Sequence, residues 1–441
     1  MDTPAGNKRK ILTNILSLSL LQIGNFVLPM ITLPLVSRII GPGNYGVINY
    51  IFAYVYYFVL FINAGFDLYG VRQMVAAKGD QPAIDSIVSR ILVAKTYILT
   101  VCTIVFTVLV FTVPQLSGEK LVSLFAYLYC LGWVINPSWV YHSKQETRKF
   151  AVFSFFSKLF FSVAIVLSIQ ERSDYIYHPL ITSLAHVGVS WISLRYALRR
   201  YGIKVHWAKA RAIGETFKDI RHISFIELIR NQAHLTNIII AGTMLSIRDT
   251  GFYTAALRIV IIVQSIIAMP LNTVLFPYVG EAFTGSHENG MDRLRKTLPY
   301  VFAITFGMSV FVLLFAEPLI GFVFGREFAG AAGLLRIFAF GLLFSNLNTA
   351  LGQHVMLNLR LDAVYIRIMV TGFAANIGLL FWLHHLYGLA GTAAAWPIAE
   401  LCILLMKAAY LHHKGVRIID LEYYKPRQFY LNALKLRPSK R

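Results

Sequence analysis

The sequence is poor in charged residues and in cysteine. Only 14% of its 441 residues are Asp, Glu, Lys or Arg, while 57% are hydrophobic, and the mean hydropathy is +0.61. A soluble domain needs more polar surface than this composition supplies, so we expect a helical membrane protein with many spans. The three cysteines, Cys102, Cys130 and Cys402, lie in apolar stretches without metal-ligand spacing, and we expect them to be small core residues.

Acidic residues are the scarcer of the charged types, since 21 Asp and Glu stand against 41 Lys and Arg. In a membrane protein this excess is typical of cytoplasmic loops rather than of nucleic-acid binding. The cytoplasmic loops carry no clustered acidic motif, and the pairs His384-His385 and His412-His413 lack companions for a metal. The segments between apolar stretches are too short for a soluble catalytic domain. We therefore expect a protein that is not an enzyme and has no cofactor, metal or nucleic-acid partner.

Hydrophobic stretches define twelve candidate spans, each near the ~20 residues that cross a bilayer as a helix. They cover approximately residues 11–35, 45–65, 87–113, 120–141, 150–169, 176–197, 222–245, 250–278, 298–316, 331–357, 364–384 and 388–411. Most Lys and Arg fall in the N-terminus, in every second loop and in the tail, where we count Lys407. The opposite loops hold only Arg38, Lys120, Arg172, Arg248 and Arg326. This asymmetry predicts that both termini lie in the cytoplasm.

The basic loop after the sixth span is the best candidate for a boundary between two halves. We predict an all-α integral membrane fold of about twelve transmembrane helices in two six-helix lobes. The N-terminal lobe (1–198) would hold spans 1–6 and the C-terminal lobe (222–411) spans 7–12, with a basic cytoplasmic linker (199–221) between them. The basic tail (412–441) fits either a helix on the membrane surface or a purely topogenic segment.

One face of the first span is polar, because Asn14, Ser17, Asn25 and Thr32 recur at helical spacing. Pro29 and Pro34 should bend this helix in its outer half, since each lacks a backbone donor. A polar, bent span fits the wall of a water-filled cavity, although small polar groups also join helices to their neighbours.

An echo of this stripe occurs 205 positions later, where Gln22, Asn25, Pro29 and Thr32 are matched by Glu227, Arg230, His234 and Asn237, and Gly46 by Gly251. Asn231 shares the face of the second stripe. Two polar-striped spans that open two halves of a chain resemble the parallel repeats of transporters. The echo favours the cavity, and we predict that Asn14, Asn25, Asn231 and His234 line it. The turn after the first span, with Arg38, Gly41, Pro42 and Gly46, is a candidate gate.

Six basic residues are not assigned to loops or termini: Lys95, Lys158, Arg230, Arg258, Arg336 and Arg367. A charge at mid-membrane costs at least ~2.5–3.5 kcal/mol on insertion scales, so it persists where it is paired, hydrated or useful. We expect Lys95, Arg336 and Arg367, which lie near span ends, to reach the membrane interface. Lys158 forms a polar stripe on one face of the fifth span together with Ser154 and Ser162. For Lys158, Arg230 and Arg258 we predict a cationic cavity that contacts substrate. A structural ion-pair network is the alternative.

Two acidic residues lie well inside spans, Glu227 and Glu400. Each is a candidate for binding a coupling proton or cation, and each is also a candidate partner for a nearby base.

Several motifs resemble, in order along the chain, those of one family: the polysaccharide-export branch of the MOP superfamily, or Wzx-type O-antigen flippases. Residues 38–46 (RIIGPGNYG) are similar to its R-x-L-G-P-x-x-Y-G signature, and residues 64–73 (AGFDLYGVRQ) to its loop after the second span. Residues 137–142 (PSWVYH) resemble a P-x-W-F-F-Q element, and Lys158 matches a frequent lysine. Residues 324–332 (FGREFAGAA) and 388–393 (GLAGTA) resemble patterns of the second half.

The resemblance implies a flippase that moves an undecaprenyl-diphosphate-linked oligosaccharide across the bacterial inner membrane by alternating access. It also implies membrane lipids as surroundings, with a polysaccharide polymerase and chain-length proteins as possible partners. A cation-coupled multidrug exporter of the same superfamily is the first alternative, but a cationic cavity suits anionic substrates. A membrane-embedded glycan polymerase or glycosyltransferase is a second alternative, and the missing acidic motif argues against it.

Overall fold

The structure is a computed structural model that describes residues 4–231, 233–270, 276–416 and 423, with side chains described from Gly24 onward apart from short gaps. Within these ranges the chain is almost entirely helical and contains no strand. Eight of the described helical segments are long and apolar enough to cross a bilayer. The predicted all-α membrane fold is therefore confirmed.

The chain separates into two compact units, of which unit 1 comprises residues 1–251 and 323–325. Its helices are α1 (Pro4–Asn63), α2 (Phe66–Ala76), α3 (Gln81–Thr112), α4 (Pro114–Ser117), α5 (Lys120–Tyr127), α6 (Tyr129–Val134), α7 (Ser138–Ser143), α8 (Thr147–Ser168), α9 (Tyr177–Arg200), α10 (Ala210–Asn231) and α11 (Ala233–Met244). A 3₁₀ helix, Arg172–Ile176, precedes α9. The seventh predicted span, formed by α10 and α11, thus packs in unit 1, whereas the two lobes drawn from the sequence divide at the basic linker.

Unit 2 comprises residues 252–322 and 326–441. Its helices are α12 (Ile247–Pro270), which begins in unit 1, α13 (Phe276–Gly285), α14 (His287–Leu314), α15 (Ala316–Val323), α16 (Ala331–Thr349) and α17 (Asp362–His413). A 3₁₀ turn spans Arg326–Phe328. A π-helix, Ala350–Met356, continues α16.

Two helices are too long for one crossing and are broken at a glycine. Straight, the 52 residues of α17 would extend about 78 Å, more than twice the ~30 Å hydrocarbon core. Gly388, at φ 55°, breaks α17 between the last two predicted spans. Gly41, at φ 74°, breaks α1 in the same way. Glycine suits both breaks because a residue with a Cβ rarely adopts positive φ.

The P-x-W-F-F-Q-like element is part of the core of unit 1. Trp139 and Tyr141 are buried in a cluster that α2, α3, α7, α9 and α10 build. The Tyr141 hydroxyl donates to the Ser193 carbonyl oxygen at 2.8 Å. A Cβ on Gly70 would lie 2.5 Å from the Trp139 ring, so this position of α2 has room only for glycine. The element therefore packs against the other helices of this cluster and holds them together.

The expectation that Lys95 reaches the membrane interface is wrong. Its side chain has no exposed surface, and its ammonium donates to Asn63 Oδ1 at 2.7 Å and lies 3.7 Å from Asp67 Oδ1. The Phe66 ring adds a cation–π contact at 5.8 Å. Lys95 is buried because the junction of α1 and α2 supplies partners for its charge, the Asn63 amide oxygen and the Asp67 carboxylate.

Arg336 and Arg367 are the other two basic residues that we expected at the membrane interface. Arg336 is partly exposed and pairs with Glu317 at 2.7 Å, and Arg367 is exposed.

Candidate functional site

The two polar stripes predicted on the first and fifth spans face each other in unit 1. Ser154 donates to Asn25 Oδ1 at 3.2 Å, and Thr32 donates to Ser162 Oγ at 2.9 Å. Lys158, one turn from Ser154, donates to the backbone oxygen of Asn25 at 3.0 Å. Thr32 and Ser162 are buried, so this end of the stripe joins α1 to α8.

The Lys158 bond has a local cause in the sequence of α1. In a helix the Asn25 carbonyl would accept from the amide four residues on, but that residue is Pro29, which has no N–H. The Lys158 ammonium supplies the missing donor. Pro29, which we predict to bend α1, thus also leaves a backbone acceptor for a lysine in the middle of the neighbouring span.

Lys158 is half-buried and lines a cavity of about 230 Å³ within unit 1. Polar side chains contributed mainly by α8 and α9 share this cavity: Asn136, Ser154, Thr182, His186 and Ser190. The His186 ring stacks on Tyr129 with centroids 4.4 Å apart and lies 5.3 Å from Trp133. The His186 ring has room there because residue 132 is a glycine: a Cβ at that position would lie 2.3 Å from the ring. A half-buried cation, hydroxyl groups and an aromatic wall can bind a polar, anionic group.

The candidate gate forms a tight backbone junction. Gly41 ends the first part of α1 and Pro42 begins the second, while a Cβ on Gly46 would lie 2.2 Å from the Ile247 oxygen. Arg38 is exposed and lies beside Gly325, and Tyr45 meets Phe324 edge to face at 5.5 Å. The motif at 38–46 thus meets Phe324 and Gly325, the first two residues of the distant motif at 324–332, within unit 1.

The polar stripe of the seventh predicted span is described only in part. The side chains of Asn14, Arg230 and Asn231 lie outside the described residues. Glu227 accepts from the backbone amide of Gly65 at 2.8 Å, which places a carboxylate at the N-terminus of α2. His234 is half-buried on α11.

Arg258 occupies an unusual position on α12. It is exposed, whereas residues 251–257 on one side and 259–260 on the other are buried. No pair or network of described residues neutralises it in the way that Glu317 pairs with Arg336. An exposed guanidinium halfway along an apolar helix can contact a substrate or solvent in an open cavity.

Glu400 belongs to a polar cluster in unit 2 that the sequence analysis missed in part. Its carboxylate accepts from Asn348 Nδ2 at 2.7 Å and from Trp396 Nε1 at 3.2 Å. Lys407, which we assigned to the cytoplasmic tail, is instead 1% exposed and donates to the backbone carbonyl oxygen of Asn348 at 3.0 Å. Its ammonium also lies 5.0 Å from the Tyr365 ring centroid. The assignment of Lys407 to the tail was wrong because its partners lie on other parts of the chain.

No group of three or more His, Cys, Asp or Glu side chains in the described part of the chain is arranged to hold a metal ion. Cys102 and Cys130 are buried, and Cys402 is half-buried.

Comparison with known proteins places the chain in a family. Residues 11–283 match the model of a family described as "Polysaccharide biosynthesis protein". The "Putative O-antigen transporter" of Escherichia coli (strain K12) is 22% identical over 413 residues, covering 93% of this chain and 99% of that protein. A protein of the same name from Shigella dysenteriae is 22% identical over 401 residues, covering 89% and 98%.

Two groups of solved structures share the fold. "Lipid II flippase MurJ, inward closed conformation" has a TM-score of 0.75 at 12% identity, covering 95% of this chain and 91% of that one. An inward-facing multidrug resistance MATE family transporter of the MOP superfamily has a TM-score of 0.69 at 12% identity, covering 93% and 94%. The resemblance inferred from the motifs is confirmed: the chain belongs to the polysaccharide biosynthesis protein family and has the fold of the MOP superfamily.

Proposed function

We propose that this protein is a flippase for an undecaprenyl-diphosphate-linked oligosaccharide, such as an O-antigen repeat unit. The observation that carries the proposal is the match along 93% of the chain to an E. coli protein named as an O-antigen transporter. The polar cavity at Lys158 and the exposed Arg258 support it, because both offer positive charge to an anionic substrate within membrane-spanning helices.

The proposed mechanism is alternating access in a bacterial inner membrane, with both termini in the cytoplasm. Arg230, Arg258 and Lys158 would contact the substrate, together with Asn14, Asn25, Asn231 and His234. Glu227 and Glu400 are the candidates for ion coupling, and the turn of Arg38, Gly41, Pro42 and Gly46 is the candidate gate. The partners would be the lipid-linked substrate, membrane lipids and, at the outer face, a polysaccharide polymerase with its chain-length protein.

Export of a cationic drug is the competing function within the same fold. The charge of Lys158 and Arg258 argues against it, since like charges repel. We also propose that the protein does not act as an enzyme on the glycan.

The test is complementation of a bacterial strain that lacks its O-antigen flippase but keeps the other genes of the pathway. We expect the gene to restore surface polysaccharide, and the purified protein in liposomes to translocate the lipid-linked glycan without extending or cleaving it. Normal membrane abundance without restored export in any of several strains with different repeat units would contradict the proposal, and restored resistance to cationic drugs would favour the exporter. Reporter fusions at residue 205 and in the tail test the topology.

A further inference from the structure

We propose that the cavity of unit 1 binds one carboxylate-bearing sugar of the transported glycan, with the Lys158 ammonium paired to its carboxylate. This inference rests on the proposed function and deepens it, because it names the substrate class as glycans that contain an acidic sugar.

The first step concerns the free bonding capacity of Lys158. An ammonium has three N–H donors, and among the described residues only the Asn25 oxygen accepts from one of them. That bond holds the ammonium at the wall of the cavity. Two N–H donors of the ammonium therefore remain for a ligand. Their position is fixed by the bond to the Asn25 carbonyl oxygen, for which Pro29 supplies no N–H.

The second step concerns charge. Lys158 lies halfway along α8, and the described residues that line the cavity include no Asp or Glu. An uncompensated ammonium at this depth is costly. A carboxylate on the substrate would offset that cost and form a charge-assisted hydrogen bond.

The third step concerns the remaining surface of the cavity. The hydroxyls of Ser154 and Thr182 already donate within the protein, to Asn25 Oδ1 and to the His178 oxygen, so they present lone pairs to a ligand's hydroxyl groups. The buried Nε2 of His186 has no hydrogen-bond partner in the described part of the chain. A pyranose ring carries several hydroxyls and packs on aromatic faces, such as the stacked Tyr129 and His186.

The fourth step separates an acidic sugar from the diphosphate of the lipid carrier. A diphosphate carries more negative charge than one ammonium offsets, and it is matched best by the forked guanidinium of arginine. The cavity offers a single ammonium, which matches the single charge of a carboxylate, and its about 230 Å³ accommodates a sugar ring. The sugar carboxylate is therefore the better fit.

The experiment uses the fluorescence of Trp133, which lies beside His186, in the purified full-length protein. Sodium D-glucuronate, D-glucose and inorganic pyrophosphate are titrated separately, and Trp133→Phe identifies the signal. We expect glucuronate to bind at least about tenfold more tightly than glucose, the effect of one charge-assisted hydrogen bond. A smaller preference for glucuronate, or tighter binding of pyrophosphate, would overturn the inference.

Variants assign the preference to Lys158. Lys158→Gln keeps an N–H donor but removes the charge, and we expect the preference for glucuronate over glucose to disappear. Lys158→Arg should retain it. The matched control is Lys78→Gln, which removes an exposed charge from the loop between α2 and α3 and should change nothing. A glucuronate preference that survives Lys158→Gln would refute the role of the ammonium.

A cellular arm separates this inference from the proposed function. The gene is expressed in two flippase-deficient strains, one that makes an acidic repeat unit and one that makes a neutral repeat unit. Selective export of the acidic glycan supports both proposals. Equal export of the two glycans overturns only the substrate class, and export of neither overturns the flippase.

Discussion

Gly46 and Gly251 are in backbone contact: a Cβ built on Gly46 would lie 2.8 Å from the Gly251 nitrogen. A Cβ on Gly251 would in turn lie 1.9 Å from the Pro42 carbonyl oxygen. The two residues are 205 positions apart, which is the spacing of the repeat seen in the sequence. Matching positions of the two repeats therefore meet, and the junction has no room for a methyl group on either side.

We expect Gly46→Ala and Gly251→Ala to lower the amount of folded protein in the membrane. Overpacking costs typically ~1–3 kcal/mol, and here the obstacle is backbone, which relaxes less readily than a side chain. Gly43→Ala is the matched control, because no atom lies within 4 Å of a Cβ at that position. Membrane abundance and thermal unfolding of the three variants check the prediction. An equal loss of folded protein for Gly43→Ala would show that the destabilisation comes from replacing a glycine as such and not from the backbone contact between Gly46 and Gly251.

Arg258 is expected to act on substrate and not on folding, because its side chain is exposed. Arg258→Ala should leave the protein at wild-type abundance and reduce glycan export strongly. Arg258→Lys should restore only part of the export, since lysine supplies charge without the planar fork that matches phosphate. Complementation read beside membrane abundance checks this. Full export by Arg258→Ala would remove Arg258 from the proposed contacts.

The sequence predicted which helices exist better than it predicted which charges are buried. Apolar runs are local, so the spans and the breaks at Gly41 and Gly388 follow from the order of residues. Burial of a charge depends on partners elsewhere in the chain: Asn63 and Asp67 for Lys95, and Asn348 for Lys407. Distance from a span end carries no information about such partners, so both lysines were misplaced. Lys158 was singled out because its stripe, with Ser154 and Ser162, is a local pattern.

The buried pair of Lys95 and Asp67 predicts a compensating double substitution. Asp67→Asn leaves the fully buried ammonium with only the Asn63 amide oxygen and should destabilise unit 1. The cost should stay at or below about 3 kcal/mol, because the Asp67 side chain is 39% exposed and water screens the pair. Adding Lys95→Met to Asp67→Asn should restore abundance, as thermal unfolding would show. A double variant less stable than either single one would contradict an ion pair.

The loop between α7 and α8 should contribute to stability in a pH-dependent way. Two hydrogen bonds lower the pKa of Glu146 below its ordinary value of 4.5: the larger effect comes from the Lys149 ammonium and a smaller one from the Tyr201 hydroxyl. A lowered pKa means that the contribution is present above pH 4.5 and is lost as the pH falls through the folded-state pKa. The difference in unfolding temperature between wild type and Glu146→Gln should thus be constant from about pH 8 to 5.5 and shrink below pH 4.5. Tyr201→Phe should reduce this difference, and a difference unaffected by acid would refute the assignment.

Glu400 and Lys407 share Asn348: its side-chain Nδ2 donates to the carboxylate, while its backbone carbonyl oxygen accepts from the ammonium. This arrangement permits two roles for Glu400. As a structural counter-charge it would compensate the buried Lys407, and its loss would leave an ammonium without a carboxylate nearby. As a coupling site it would take up and release a proton during the transport cycle, as we propose.

The two roles predict different outcomes for Glu400→Gln. A coupling role predicts wild-type abundance together with glycan export that no longer responds to collapse of the proton gradient by a protonophore. A structural role predicts low abundance, with both abundance and export restored when Lys407→Met is added. We expect the first outcome, and we expect the double variant to remain uncoupled. Glu317→Gln is the matched control, because it removes an exposed carboxylate paired with Arg336 in the same unit and should leave coupling intact. Export by Glu400→Gln that still responds to the protonophore would exclude Glu400 as the proton site.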